Sequence, residues 1–499
     1  MKKLSVFSVI LLSGLLLVTA CQNKGNSSIE SESESESETV TEETSYPPED
    51  VFHILKAHPN VVSIKSTYPG DIKDKYTQLY RLFYKQLIDH NDPSKGTFNQ
   101  KVEIGYRAYD APTVLVTEGY SFDDNQTAYS MYGPQNELAH LLNGNYVYVE
   151  HRYFGDSKIS EDFDYTQSEG WEYLTTAQAA ADLHSIVTDL RPVLQGKWLS
   201  SGASKGGMTT EMYAYYYPHD IEVYVPRVAP FANSFSDTRF YDFVYTEAGN
   251  VTYGEEKAKE YRDITTDFVI KLLEYRDDFA PKAYKAATKA GCQFVDGFNQ
   301  DVLYDISVME FPIGEWQYYH NFSSLKKCLD MPDTDLEAKK NAFYSIYSSM
   351  SPISDLEFGG IYQPYFVQAY RELGDYGYNV SYLKAAIEEK GSSATLTLSD
   401  EEFINAYEQV TMSQEMRDSL PRMELMEPKI TKFLKETDCN MILIYGASDP
   451  WYSIRPEDPV DNPHVRIYVN EKLTHDAAVS NFGTVVKKEI LDYIHSIID

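Results

Sequence analysis

Residues 197–218 read KWLSSGASKGGMTTEMYAYYYP, and the reading of Gly202-Ala203-Ser204-Lys205-Gly206 within them decides the fold. A short apolar strand runs without a spacer into small residues and then into a helix-forming stretch. That is the order a nucleophile elbow requires, with a serine held on a sharp strand-to-helix turn. Glycines at 202 and 206 remove the side chains that would collide where the helix folds back on the strand. Gly and Ser are also common in ordinary turns, so the five residues decide nothing unless the chain supplies a base and an acid.

Working outward, segments rich in β-branched and aromatic residues alternate with helical patterns, the sign of a mostly parallel sheet built from βαβ units. Strands are predicted over 101–109, 113–119, 146–155 and 221–230. Helices are predicted at about 135–143, at 175–190 and from Met208 to Tyr217. The second carries Ala179, Leu183, Ile186, Val187 and Leu190 on one face. From about 232 to 436 the pattern turns helical, and the sheet resumes at 440–446 and 465–471. A final amphipathic helix has Ile490, Ile494 and Ile497 along one side. The expectation is one α/β sheet interrupted by a helical insertion: an N-terminal part over 51–231, the large helical insertion over 232–436, and a C-terminal part over 437–499.

The missing partners follow the insertion. In α/β-hydrolases the order along the chain is Ser, then Asp or Glu, then His. Asp449 stands just past one strand, in YGASDPW, and His475 just past the next, in KLTHDA. Open α/β sheets bind ligands at the carboxyl ends of their strands, where both would converge on Ser204. His464 precedes its strand, His495 falls within the terminal helix, and Asp476 adjoins His475 without the topological position of Asp449. Ser204, Asp449 and His475 are therefore the predicted catalytic residues. The backbone N–H of Lys205 and one at Gly119 or Tyr120, in VTEGYSF, are the expected oxyanion donors. Glu118 reads either as a carboxylate for a substrate's amino terminus or as a structural partner for a cation such as Arg152. Glu150, His151 and Arg152 read as a polar network supporting the site.

Composition narrows the partners. With 44 Lys and Arg against 76 Asp and Glu the net charge is -32, which excludes a nucleic-acid surface. The 42 tyrosines read mainly as half-buried packing positions. Lys2-Lys3 and an apolar run to Val18 form an export signal over residues 1–20, and Val18-Thr19-Ala20-Cys21 resembles a lipobox, which implies a lipid on Cys21. Residues 21–50, rich in Ser and Glu, read as a disordered tether. Cys292 and Cys328 are compatible with either a disulfide or buried thiols, and no cysteine or histidine spacing suggests a metal site.

SSGASKGGMT, VEHRYFGDS, LTTAQAAADL, YKQLIDHNDPSKGTFNQK and YGASDPW resemble the secreted bacterial tripeptidyl aminopeptidases, serine peptidases related to prolyl carboxypeptidase and the lysosomal dipeptidyl peptidases. The continuation Lys205-Gly206-Gly207-Met208-Thr209 favours the tripeptidyl branch. The resemblance implies an α/β-hydrolase core with a helical lid, cleavage from the free amino terminus of peptides without metal or organic cofactor, and Ser204, Asp449 and His475 as nucleophile, acid and base. Two other readings of the same residues are an esterase or lipase, and a surface lipoprotein that binds peptides without cleaving them.

Overall fold

The computed structural model describes residues 50–67, 76–122, 137–456 and 461–499. The export signal, Cys21 and all of the tether except Asp50 lie outside the described residues. Nine strands form one sheet: β1 (Val61–Thr67), β2 (Gln78–Leu87), β3 (Thr97–Tyr106), β4 (Thr113–Thr117), β5 (Asn145–Val149), β6 (Trp198–Ala203), β7 (Val223–Arg227), β8 (Asn440–Gly446) and β9 (Val465–Asn470). Their order is β1-β2-β3-β5-β4-β6-β7-β8-β9. The pairs from β1 to β5 are antiparallel. Those from β5 through β4 to β9 are parallel. This is the α/β-hydrolase fold.

The central strands β4, β5 and β7 are buried along their whole length, as expected for parallel strands covered on both faces. Alternate residues serve opposite layers. Leu115, Val147 and Val149 pack with Leu183, Ile186, Val187, Met208 and Met212 of the two helices on one face. Val114, Val116, Tyr146 and Tyr148 pack with Ile490, Ile494 and Ile498 on the other. In the terminal helix Ile498, not Ile497, completes the fully buried stripe, because 490, 494 and 498 repeat at four residues while Ile497 lies at its border.

The helix Thr176–Leu190 starts where Thr175 accepts a hydrogen bond from the Gln178 N–H, and its five predicted apolar positions are all buried. Each would cost about 0.5–5 kcal/mol if shortened, the size of the loss setting the value. β1 and β2, absent from the sequence expectation, form an antiparallel edge. Ser and Lys break the apolar run of β1, and Arg81, Lys85 and Gln86 break that of β2.

Between β7 and β8 the chain forms only helices, turns and one isolated bridge, Asp237 to Tyr376. This segment shares a second core with Tyr153, Phe163, Trp171 and Leu174 of the stretch after β5, and within it Phe268 stacks on Phe311 and Phe343. Its helix Gln300–Gly314 carries Pro312, which leaves the Val308 carbonyl without its usual donor. The helix then widens into a π turn at Glu315–Tyr319 and stops at His320, which has φ 48°. Cys328 is a buried free thiol, so the disulfide reading falls. Among the described residues no helix is long and apolar enough to cross a membrane.

Candidate active site

β6 delivers Ser204 into a backbone conformation of φ 57° and ψ -125°, and the helix Lys205–Tyr216 begins at the next residue. For a non-glycine residue such a conformation costs of the order of 1–3 kcal/mol and persists only where the surroundings enforce it. Here the Ser204 N–H donates to the Arg227 carbonyl of β7 at 3.0 Å. The helix also packs close on its neighbours: a Cβ at Gly206 would sit 2.4 Å from the Thr117 carbonyl, and one at Gly202 2.4 Å from the Gly206 carbonyl. The elbow therefore needs small residues at both positions.

Asp449 follows β8 and His475 follows β9, at the carboxyl ends predicted for them. Their side chains meet, with His475 Nδ1 2.7 Å from Asp449 Oδ2. The other carboxylate oxygen, Oδ1, accepts from the Trp451 N–H at 3.1 Å. Asp449 is fully buried and His475 nearly so. His475 Nε2 is buried with no hydrogen-bond partner among the described residues. Asp476 does not compete for the imidazole; its carboxylate accepts from the Thr474 N–H.

Ser204 opens on a cavity with an empty volume of about 880 Å³, its mouth to solvent included. Tyr318 and Trp451 line the same cavity, and their rings lie 5.7 and 6.4 Å from that of His475. Most of the remaining wall comes from the helical segment, in which Tyr362, Tyr365, Phe366, Tyr376 and Tyr407 supply aromatic surface and Glu310 and Asp355 the carboxylates. The same segment grips both loops of the Asp–His pair. The Thr252 hydroxyl lies 2.6 Å from that of Ser448 and 2.6 Å from the Glu471 carbonyl, while the Thr474 hydroxyl donates to the Gln317 carbonyl at 2.8 Å.

The loop after β4 lies against the elbow. A Cβ at Gly119 would be 2.6 Å from Lys205 Cβ and 2.7 Å from the Gly206 nitrogen. Glu118 accepts from the Tyr148 hydroxyl, and the Tyr120 N–H also points to its carboxylate. Burial raises the Glu118 carboxyl above its ordinary range. Arg152 is not its partner, because the guanidinium makes a two-pronged contact with Asp182 at 2.7 Å on each side. The Leu87, Ile88 and Tyr173 carbonyls take its other N–H groups. Glu150 accepts from the Ser157 hydroxyl at 2.7 Å and from the Asp156 and Phe122 N–H groups. Burial pushes it up to about 7.

The Lys205 ammonium is buried over the rings of Tyr120 and Phe154, at 5.7 and 5.2 Å, without a hydrogen-bond partner among the described residues. Burial pushes it down to about 7, against the pull of Glu118 and Glu372. The sequence reading missed the cavity wall. Its tyrosines are scattered over more than two hundred residues, and the π turn that presents Tyr318 has no motif. The one signal within reach was Trp451, two residues after Asp449. Among the described residues no group of His, Cys, Asp and Glu side chains could hold a metal.

Residues 58–488 match the family described as PS-10 peptidase S37. The prolyl tri/tetrapeptidyl aminopeptidase of Streptomyces mobaraensis is 26% identical over 385 residues, which cover 76% of this chain and 72% of that protein. The human lysosomal Pro-X carboxypeptidase is 29% identical over 149 residues, 28% of this chain and 29% of that protein. The crystal structure of a proline iminopeptidase from Mycobacterium smegmatis aligns with a TM-score of 0.33 and 10% identity, covering 83% of this chain and 98% of that one.

Proposed function

The chain belongs to the PS-10 peptidase S37 family and is a serine peptidase, and from that premise we propose that it removes short peptides, tripeptides foremost, from the free amino terminus of its substrates by a Ser204–His475–Asp449 triad. The observation that carries the triad is the 2.7 Å contact between His475 Nδ1 and Asp449 Oδ2, with Nε2 left unpartnered among the described residues and the imidazole set against Tyr318 and Trp451, which line the cavity that Ser204 opens on. A carboxylate on Nδ1 fixes the tautomer whose Nε2 can accept a proton.

In this reading Ser204 Oγ attacks the peptide carbonyl as its proton passes to His475 Nε2. The negative oxygen is met by the Lys205 N–H and by that of Gly119, the Tyr120 N–H being turned to Glu118. The imidazolium then gives its proton to the leaving amine, and the amino-terminal fragment remains as an ester on Ser204. Water, deprotonated by the same histidine, releases it. The aromatic wall favours apolar residues before the scissile bond, and the name of the Streptomyces relative suggests proline among them. The export signal and lipobox support a location outside the cytoplasm, anchored through Cys21.

The test is mass spectrometry of products from a mixed peptide pool, with wild type beside Ser204→Ala. Free tripeptides should accumulate only with wild type. Cleavage surviving in Ser204→Ala, fragments released from the carboxyl end, or hydrolysis confined to acyl esters would overturn the reading.

A further inference from the structure

We infer that Asp355, with Glu310 beside it, anchors the free amino terminus of the substrate, so that the acidic end of the cavity selects a primary ammonium. The inference rests on the peptidase reading proposed above and names the group that this reading leaves open. Asp355 belongs to the single turn Ile353–Leu356, and Glu310 to the helix Gln300–Gly314. Both side chains line the cavity that opens at Ser204, and no Lys, Arg or His is among the described residues lining it. Asp355 is 8% exposed, and its Oδ1 is buried with no hydrogen-bond partner among the described residues.

A buried carboxylate oxygen without a donor carries a desolvation cost that a native fold ordinarily offsets with a partner. Here the missing partner is a donor that arrives with the substrate. Glu310 is held in place by the Tyr376 hydroxyl at 2.8 Å and by that of Tyr378. Each of its oxygens keeps a lone pair for a further donor. An ammonium has three N–H groups, enough for both carboxylates at once. Burial raises both acids, and the Glu310 charge adds to the rise at Asp355, so the empty pair is short of positive charge. Among the described residues no cation lines this end of the cavity to receive a peptide's carboxylate, which sets the polarity of binding. The separation between these carboxylates and Ser204 then fixes how many residues leave.

The test uses the Ser204→Ala chain, titrated with Ala-Ala-Pro amide carrying a free amine and with its N-acetyl counterpart. The free amine should bind about 10- to 100-fold more tightly, the range a charged hydrogen-bonded contact supplies. Adding Asp355→Asn should bring the two peptides within about threefold by weakening the free amine alone. Glu310→Gln should narrow the gap as well, and it carries the test if Asp355→Asn does not fold, as judged by circular dichroism. Equal affinities in the Ser204→Ala chain, or a gap untouched by Asp355→Asn, overturn the anchor; the second result would mark Asp355 as a neutral donor, which Asn replaces. The two readings fail separately. A gap in binding without any cleavage by wild type upholds the anchor and sinks the peptidase reading, while tripeptide release by wild type with no gap in binding does the reverse.

Discussion

Nδ1 of His475 and Oδ2 of Asp449 lie 2.7 Å apart although the two residues follow different strands, β8 and β9. Parallel pairing holds those strands in register from Met441 opposite Val465 to Gly446 opposite Asn470, so both loops leave the sheet at one edge. If this contact fixes the imidazole tautomer, Asp449→Asn should lower kcat by about 10⁴ with little change in thermal stability, since Asn fills the same space. Steady-state hydrolysis of a tripeptide anilide measures it. A loss under tenfold would mean that the histidine is oriented by something else.

Gly119 should be as sensitive as its position is tight. An alanine there would put its Cβ 2.7 Å from the Gly206 nitrogen, and backbone cannot move aside as a flexible side chain can. The loop must shift, taking the Gly119 N–H off its target. Gly119→Ala should therefore lower kcat by about 10²–10³, the usual cost of one oxyanion donor, with a smaller effect on KM. Equal kinetics in wild type and variant would remove Gly119 from the oxyanion site.

The Arg152–Asp182 pair predicts a loss of stability. Both side chains are buried, and Asp182 also meets His90 Nε2 at 2.8 Å. Arg152→Met leaves the Asp182 charge in the interior without its main partner and three carbonyls without donors. Denaturant unfolding should show a loss of about 3–5 kcal/mol. A change below about 1 kcal/mol would show that water reaches the site once the guanidinium is gone.

The sequence carried the parts of this architecture that depend on local chemistry. Gly202 and Gly206 mark the elbow because close approach of backbone admits no other residue, and the order Ser204, Asp449, His475 marks the strand ends because a parallel sheet presents them on one side. NMILIYG at 440–446 matches β8 to the residue, since a run of apolar residues bounded by Asn and Gly has few alternatives. The edge strand β1 and its neighbour β2 escaped because Ser, Lys, Arg and Gln interrupt their apolar runs and weaken the pattern. The cavity wall escaped for a different reason. Tyr120, Tyr318, Asp355 and Tyr407 come from four distant places in the chain, and only the packing of the helical segment on the sheet gathers them.

Lys205 gives a pH dependence whose sign follows from its burial. The unfolded chain holds the proton up to the ordinary lysine value of 10.5, whereas burial in the folded chain lets it go at about 7. Between those limits the unfolded state binds more protons, so this residue makes stability rise with pH; below about 7 both states are charged, and the cost of the buried ammonium is complete. The aromatic rings beneath it offset only about 0.5–2 kcal/mol. Lys205→Met keeps the volume and removes the charge, so it should be the more stable protein at pH 7.5. Its advantage should shrink by up to about 1.4 kcal/mol per pH unit on the way to pH 9.5. Denaturant unfolding of both proteins across that range tests it, and an advantage that stays constant with pH would mean that Lys205 keeps its proton in the fold, held by Glu118 and Glu372.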